Sequence, residues 1–450
     1  MAASNLPVHI LRYGIHGEQR YFSELADCYD GIAINGNMLA HTPAALARFV
    51  GVRVVDRPFV IDPLTHAFQH DPQRLRRAYQ GTLGGEGTAL KSSVARMSTR
   101  FGEPVQSKAG REALLPEDFA DGDLRRDFCH RVIEFQLQTM EEAAADGDYI
   151  QYLRYAGIQT MKPAVVIAPY FYMISNTLDH WLDLNIAFIS DAVSYDSGLP
   201  VYAQLVIHPD ILLRQDMSGR LITSYGSARC AGICLWIDEL DEHSADAELL
   251  RRMAGLIEGL AASGRPVHNV YGGYLSTVLT KFGRLSGLCH GLEYGESRPV
   301  LPVGGGVPMA RYYFPPLHKR IRYSEVVQIL AAKGWNRDAS EFHANVCDCE
   351  TCHEVISGNV ENFAMFGGSR AVTFQRAGQT ITLNYPLPET RDRCLRHYLH
   401  CKRKEFRELQ ASTKEEVIAR LRTGGQEYRS VLGLDAVAFV DAWVDVLDSL

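Results

Sequence analysis

The sequence lacks several features that would place it outside ordinary globular proteins. It has no internal repeat, and no apolar stretch approaches the roughly 18 residues that a membrane-spanning helix needs. No charged segment followed by an apolar run opens the chain, so we expect no secretory signal, no membrane partner and a cytoplasmic location. Neither sign of charge dominates, because 46 lysines and arginines stand against 53 acidic residues and give a net charge of -7. This balance excludes a broadly basic nucleic-acid coat protein.

What is present is typical of a globular protein. The chain has 450 residues, of which 46% are hydrophobic and 22% are charged, so it can bury a substantial core without disulfides. A local basic stripe is enough to hold phosphates. Three short stripes occur, at 74–77, 318–322 and 402–404. The composition is therefore compatible with a nucleic-acid enzyme, either as a homodimer or with a partner protein.

Short apolar runs rich in valine, isoleucine and tyrosine recur between about residues 50 and 320. Continuous runs of this kind are typical of strands buried on both faces, as in a parallel sheet. A helical pattern separates two of them at 244–263, where Gly264 and Pro266 end it. Repeated β–α units predict a (β/α)8 TIM barrel, with a doubly wound sheet as the alternative. The runs are 58–61, 164–173, 186–190, 201–207, 230–237, 267–271, 287–292 and 310–314.

Two parts of the chain depart from this pattern and set the predicted domains. Residues 72–160 are charged and helical, and we predict a helical insertion there. Beyond 340 a cysteine cluster precedes a polar β-like stretch and charged amphipathic helices. We therefore predict a TIM-barrel catalytic domain over 1–340 and a zinc-binding, helical C-terminal subdomain over 341–450.

Three of the ten cysteines fall within six positions, as Cys347, Cys349 and Cys352. In a reduced chain such spacing indicates a metal site, and Zn²⁺ prefers four nitrogen or sulfur ligands. His397 or His400, on an apparent helix, supplies the fourth ligand, and Cys394 and Cys401 are weaker options. An iron–sulfur cluster is less favoured, because no well-spaced fourth cysteine follows closely. A closed site of three cysteines and one histidine has no open position, which predicts a structural zinc.

Cys-Asp-Cys-x-Thr-Cys after a barrel-like series resembles the tRNA-guanine transglycosylase superfamily. The resemblance implies a (β/α)8 barrel with a Cys3His zinc subdomain that exchanges guanine in a nucleic acid for a 7-deazaguanine. The family's Asp-Ser-Gly-Gly-Phe-Gln segment is similar to residues 62–69 here, although Ser-Gly-Gly is absent. This match implies that Asp62 is an acid/base group, with His66 and Phe68 beside the base.

Other family segments are matched more loosely. The purine-reading segment falls near Gln204 and His208, and the following strand ends at Asp238, a catalytic carboxylate candidate. A glycine-containing strand implies that Gly272 and Gly273 lie at the substrate.

The segment that carries the family's nucleophilic aspartate has no aspartate here. Glu293 is the replacement candidate, and Asp238 is the alternative nucleophile. Glu296 and Arg298, in the same segment, are expected to bind substrate.

Asp-Pro-x-Thr-His, Gly-x-Glu-Tyr-Gly-Glu-x-Arg and the run 311–318 resemble a divergent branch that inserts 7-deazaguanines into DNA. This implies DNA and a 7-deazaguanine base as partners, through a covalent carboxylate–C1′ intermediate. A flipped-out target needs aromatic walls. The same exchange on tRNA, or an inactive zinc-containing nucleic-acid-binding protein, are the alternatives. The stacking candidates are Tyr170, Tyr172, Tyr294, Tyr312 and Tyr313.

A metal-dependent barrel hydrolase is a further alternative. Four histidines near strand ends would supply its ligands, but the chain has no His-x-His pair. These histidines are His66, His208, His268 and His290.

Overall fold

The computed structural model describes residues 6–80, 86–145, 155, 161–293, 295–301, 310–376 and 379–450. The strands within these ranges are β1 (His9–Tyr13), β2 (Gly31–Asn35), β3 (Phe59–Asp62), β4 (Arg76–Gln80), β5 (Glu86–Leu90), β6 (Val166–Ile167), β7 (Val201–Ile207), β8 (Gly232–Ile237), β9 (Val267–Asn269), β10 (Gly287–Gly291), β11 (Arg311–Phe314), β12 (Lys319–Arg322), β13 (Ser369–Arg376) and β14 (Gln379–Pro386).

The α-helices of the same ranges alternate with the barrel strands and then dominate the C-terminal region. They are α1 (Gln19–Glu24), α2 (Gly36–His41), α3 (Pro43–Arg48), α4 (Ser92–Phe101), α5 (Val105–Lys108), α6 (Gly122–Ala145), α7 (Leu178–Ser194), α8 (Gln215–Ser227), α9 (Ala247–Ala261), α10 (Tyr274–Phe282), α11 (Tyr323–Lys333), α12 (Ala339–Asn345), α13 (Glu350–Ile356), α14 (Pro388–Ala411), α15 (Lys414–Leu432) and α16 (Leu434–Ser449). No helix in the described ranges combines the length and the apolar character needed to cross a bilayer.

Eight parallel strands form one sheet in the order β3-β2-β1-β10-β9-β8-β7-β6. A parallel bridge between Val60 and Val165 joins the two ends of this sheet, so that it closes into a barrel. Helices surround the sheet, and the fold is the predicted (β/α)8 TIM barrel. Chemistry in this fold belongs at the carboxyl ends of the strands.

The centre of the barrel explains the continuous apolar runs. Along β7 every residue is buried, because Tyr202 and Val206 fill the bore while Leu205 packs outward against the helices. The same alternation on β8 sends Cys234 and Trp236 inward. Because both faces of a barrel strand are buried, its sequence is continuously apolar and does not alternate with polar residues.

Two predicted strands are not part of the barrel. The run 186–190 lies inside α7, where buried Trp181, Asn185 and Phe188 recur at helical spacing. The run 310–314 contains β11, which pairs antiparallel with β12 in a separate hairpin. The two barrel strands that the sequence reading missed are β1 and β2, which precede residue 50.

The predicted insertion at 72–160 is partly helical. It contains α4, α5 and α6, but it begins with the antiparallel hairpin β4–β5. Three parts of this predicted insertion lie outside the described ranges, namely 81–85, 146–154 and 156–160.

The long helix α14 lies in the predicted C-terminal subdomain, yet it covers the outside of β1 and β10. The Phe406 ring stacks on His9 at a centroid distance of 4.5 Å, and the Tyr398 hydroxyl lies 3.1 Å from His290 Nδ1. The Lys281 ammonium of α10 donates to the carbonyls at the end of α14, those of Leu409, Gln410 and Ser412. Thus α14 serves as the barrel helix between β10 and β1, and the boundary at 340 stays a prediction.

Candidate functional site

The Asp62 carboxylate lies at the carboxyl end of β3 in the mouth of the barrel and is only 4% exposed. Its Oδ1 accepts hydrogen bonds from the Tyr170 hydroxyl at 2.5 Å and from the Leu64 amide at 3.2 Å. Its Oδ2 lies 3.4 Å from the Arg12 guanidinium. The first residue of α2, Gly36, lies so close to this turn that it must be glycine, because a Cβ there would lie 2.8 Å from the Asp62 carbonyl oxygen. The fold therefore holds one carboxylate in a fixed orientation at the mouth.

A histidine extends this arrangement. His66 Nδ1 lies 3.1 Å from the Tyr170 hydroxyl oxygen. Because Tyr170 gives its only proton to Asp62, we assign the proton of this second bond to His66 Nδ1. Burial lowers the pKa of His66 well below its ordinary value, and the neighbouring His70 lowers it further. His66, Tyr170 and Asp62 thus form a chain of hydrogen bonds built on a neutral imidazole.

Arg12 and Tyr271 complete the surroundings of Asp62. The Arg12 guanidinium stacks over the Tyr271 ring at 4.5 Å and also donates to the Asn35 side chain. A buried cation needs a nearby anion, and Asp62 supplies it. The sequence reading did not identify Arg12, although a charged residue within the apolar run of β1 was a signal for it.

Asp238 follows β8 and is the second carboxylate at the mouth. Its Oδ2 accepts from the Tyr172 hydroxyl at 2.6 Å, and its Oδ1 accepts from the Val300 amide at 2.7 Å. Burial, together with the bond to Asp238, raises the pKa of Tyr172. In contrast to Asp62, Asp238 is partly exposed. Two of the five predicted stacking candidates, Tyr170 and Tyr172, therefore donate hydrogen bonds to the two carboxylates.

The segment 298–300 crosses the mouth between these groups. The Arg298 carbonyl accepts from Trp236 Nε1 at 3.1 Å, and the Arg298 guanidinium donates to the Tyr271 hydroxyl at 3.1 Å. Trp236 in turn contacts His66 edge to face at 5.2 Å. The predicted substrate-binding residues Arg298 and His66 thus lie in one cluster with both carboxylates.

The bore below Asp62 is too small for a purine. Its cavity measures about 30 Å³, which is close to the space of one water molecule. Gln204 lines this cavity, and its buried Nε2 has no hydrogen-bond partner within the described part of the chain. The bore therefore has room for water but not for a larger group.

Of four other predicted substrate residues, Phe68, Gly272 and Gly273 contact other parts of the barrel, whereas His208 follows β7 beside Asp238, whose amide donates to the Ile207 carbonyl at 2.8 Å. Phe68 is buried against Phe101 in the outer core. His208 is exposed and pairs with Asp210. Gly272 and Gly273 lie at the start of α10, where a Cβ would lie 2.6 Å from Ser276 and 2.9 Å from Glu242 respectively. Phe68, Gly272 and Gly273 thus serve packing, and the exposed His208 lies next to Asp238 at the end of β7.

The Glu293 side chain forms an ion pair with Arg391 of α14, and its carbonyl accepts from Arg320 at 2.7 Å. Among the described residues no hydrogen bond or ion pair joins Glu293 to Asp62 or Asp238. The side chain is thus held against the C-terminal region. The neighbouring stacking candidate Tyr294 lies outside the described residues.

Glu296 belongs to a buried charged network under α14. Its Oε1 lies 3.1 Å from Lys402 Nζ and accepts from the Tyr398 hydroxyl at 2.9 Å. Burial raises the pKa of Glu296, but the positive charges of Lys402 and Arg320 outweigh that effect and hold the pKa well below its ordinary value. This network was not predicted, and it joins the barrel wall to the C-terminal region.

The predicted cysteines meet one histidine in the C-terminal region. The donor atoms of Cys347, Cys349, Cys352 and His397 all lie within 4.8 Å of one another, and all four residues are buried. His397 Nε2 donates to the Tyr313 carbonyl at 2.6 Å, which turns Nδ1 toward the sulfurs. This Cys3His cluster can hold a metal ion.

His400, the alternative fourth ligand, points instead toward Glu350, 3.7 Å away. Two of the stacking candidates also lie at this end of the chain. Tyr312 stacks on His397, and its hydroxyl lies 3.2 Å from Cys352 Sγ, while the Tyr313 hydroxyl donates to Glu405.

The four histidines of the hydrolase alternative lie apart. His268 contacts the Leu6 carbonyl at 3.2 Å, and His290 lies 2.7 Å from His9. In the described part of the chain, the Cys3His cluster is the only group of three or more His, Cys, Asp or Glu with ligand atoms this close together.

The chain matches no family model and no curated protein. Neither comparison therefore adds a family or an activity to what the geometry supports.

Proposed function

We propose that this protein is a transglycosylase that exchanges guanine in DNA for a 7-deazaguanine base. The observation that carries the proposal is the pair of oriented carboxylates, Asp62 and Asp238, at the carboxyl ends of two strands of one TIM barrel. Base exchange through two displacements needs one carboxylate as nucleophile and one as acid/base. The sequence resemblance supplies the substrate class.

Asp238 is the proposed nucleophile. Its carboxylate attacks C1′ of the target nucleoside and breaks the bond to guanine, which forms a covalent glycosyl–enzyme ester. Tyr172 and the Val300 amide hold the two oxygens in place. Glu293, at the position of the family nucleophile, is engaged with Arg391, so we assign it a structural role.

Asp62 is the proposed acid/base. It takes up a proton from solvent and gives it to guanine as guanine leaves. It then regains a proton from the incoming base, which attacks C1′ and releases Asp238. The hydrogen bonds from Tyr170 and from Leu64 keep its orientation through both steps.

We further propose that the Cys3His cluster binds a structural Zn²⁺. Three cysteines and one histidine are the ligands of many structural zinc sites, and four protein ligands leave no position for substrate. The ion would join the turn at 347–352 to α14 and so anchor the C-terminal region to the barrel wall.

The test is base exchange with labelled guanine and a labelled 7-deazaguanine, on duplex DNA and on tRNA in parallel. We expect exchange on DNA, with Asp62→Asn and Asp238→Asn each slower by about 100-fold or more. Glu293→Gln is the matched control and stays within a few-fold of wild type. Loss of exchange in Glu293→Gln with activity retained in Asp238→Asn contradicts the assignment of the nucleophile. Exchange on tRNA alone identifies tRNA as the substrate.

A nucleic-acid-binding protein without catalytic activity is the second candidate. The ion pair between Glu293 and Arg391 favours it, because no free carboxylate stands where the resemblance implies a nucleophile. Binding of DNA without any exchange, equally strong in Asp62→Asn and in wild type, would support this candidate.

A further inference from the structure

A fourth thiol, that of Cys401, lies directly beside the Cys3His cluster. Its Sγ is 3.7 Å from Cys347 Sγ and 3.5 Å from His397 Nδ1, and the residue is 2% exposed. It stands outside the group of four donors that lie within 4.8 Å of one another. The cluster thus has one more buried donor than a four-coordinate ion uses.

The sulfur–sulfur distance is that of two ligands of one ion, whereas toward His397 the sulfur lies beside the imidazole ring, 3.5 Å from Nδ1 and 3.7 Å from Nε2. With metal–sulfur bonds of about 2.3 Å and metal–nitrogen bonds of about 2.0 Å, tetrahedral geometry separates two sulfurs by about 3.8 Å and a sulfur from a nitrogen by about 3.5 Å. Cys401 meets the sulfur–sulfur separation toward Cys347, and its place beside the ring is next to the position that the imidazole occupies. Its side chain therefore lies along one edge of the site.

Helical spacing explains why two donors compete for one position. His397 and Cys401 are four residues apart on α14, so their side chains project from the same face. The Tyr313 carbonyl orients the His397 ring, whereas the hydrogen-bond contacts of the Cys401 thiol with described residues are those to Cys347 and His397.

We propose that Cys401 is a reserve ligand, which binds the metal ion when the His397 imidazole leaves it. In this exchange the metal–nitrogen bond breaks, a metal–sulfur bond forms, and the thiol proton of Cys401 goes to solvent. The imidazole leaves as a neutral group and keeps its bond to the Tyr313 carbonyl. The ion then has four sulfur ligands. This inference rests on the metal site proposed above.

The test measures metal content and cobalt absorption in purified full-length variants loaded with Zn²⁺ or Co²⁺ alone. His397→Ala is expected to keep one ion per chain. Its sulfur-to-cobalt charge-transfer absorption should rise by about a third, because three thiolate ligands become four. His397→Ala/Cys401→Ser is expected to lose the ion. His397→Ala/Cys394→Ser is the matched control and should keep it, because the Cys394 thiol, also buried on α14, faces the Phe366 carbonyl.

Three outcomes would overturn the proposal. Equal metal content in His397→Ala and in its Cys401→Ser double variant shows that the thiol does not bind. Loss of the ion in Cys401→Ser alone shows that Cys401 is a primary ligand. Loss in His397→Ala, in a protein whose circular dichroism matches wild type, shows that no reserve exists. Absence of metal from the wild-type chain would instead refute the metal site itself.

A second measurement applies if His397→Ala fails to fold. Transfer of Zn²⁺ from the native chain to an excess of chelator passes through partly released states, which a reserve ligand stabilises. Cys401→Ser should lose its ion about tenfold faster than wild type. Removing a group that supports a metal site typically weakens metal binding by about 10- to 100-fold, and we expect the lower value. Cys394→Ser should match wild type, and equal rates in all three proteins would contradict the proposal.

Discussion

Replacing Lys402 by methionine should destabilise the protein strongly at neutral pH. Lys402 is 1% exposed and lies 3.1 Å from Glu296 and 3.2 Å from Glu405. With Arg320, the network holds two positive and two negative charges, and His318 Nδ1 lies 2.6 Å from Glu405. The methionine removes the one ammonium that both buried carboxylates share. Breaking a buried ion pair in this way costs about 3–5 kcal/mol. We expect that loss in the free energy of unfolding, measured by urea with tryptophan fluorescence on the metal-loaded protein at pH 7.

The dependence on pH provides a sharper test of the same reasoning. The pKa of Glu296 is held below its ordinary value, so its stabilising contribution is present above the unfolded pKa near 4.3 and is lost as the pH falls through the lower folded pKa. Burial lowers the pKa of Lys402, but Glu296 and Glu405 outweigh it and raise the pKa, so that its contribution is lost only in strong alkali. The contribution of the wild-type network to the free energy of unfolding should therefore be constant between about pH 5 and 9.

In the Lys402→Met variant one carboxylate should take up a proton as the pH falls from 7 to 5, and the deficit should shrink. The double variant Lys402→Met/Glu405→Gln restores the balance of charge and should regain at least half of the lost free energy. Lys333→Met, which removes a surface pair with Glu427, is the control and should cost less than about 1 kcal/mol. The reasoning is wrong if Lys402→Met unfolds at the same urea concentration as this control.

Three further changes test other features. Lys281→Met removes an ammonium that donates to three carbonyls at the end of α14, and it should cost about 2–3 kcal/mol in urea unfolding; an unchanged midpoint would contradict this. Tyr170→Phe removes the donor to Asp62 and should slow base exchange about tenfold with the fold intact, whereas an unchanged rate would remove the hydrogen-bond chain from the mechanism. Chelation of the metal-loaded protein should speed hydrogen exchange at 347–356 and leave β7 unchanged; equal protection with and without metal would deny the ion a structural role.

The barrel was predictable from the sequence because most of its strands are buried on both faces and are therefore continuously apolar. The missed strands contain polar side chains that satisfy each other inside the mouth, since Arg12 on β1 bonds Asn35 on β2. The run at 186–190 was wrong because Phe188 and Ile189 belong to a helix whose buried face extends well beyond the run. Periodicity over five residues cannot distinguish these cases.

The candidate site was predictable where the chemistry is local in sequence. Spacing alone identified Cys347, Cys349 and Cys352, because their sulfurs share one turn. The choice of His397 over His400 depended on the rotation of α14 and on the Tyr313 carbonyl, which lies far away in the chain. The Glu293 side chain is held by Arg391, which lies 98 residues later in the chain, and no sequence pattern predicts an ion pair over that separation.

The position of α14 has a consequence for the order in which the molecule is made. The last barrel strand ends at Gly291, but the helix that seals the wall beside it ends at Ala411. During synthesis, the helix that covers His9 and His290 on the outside of β1 and β10 is therefore completed more than a hundred residues after the last barrel strand.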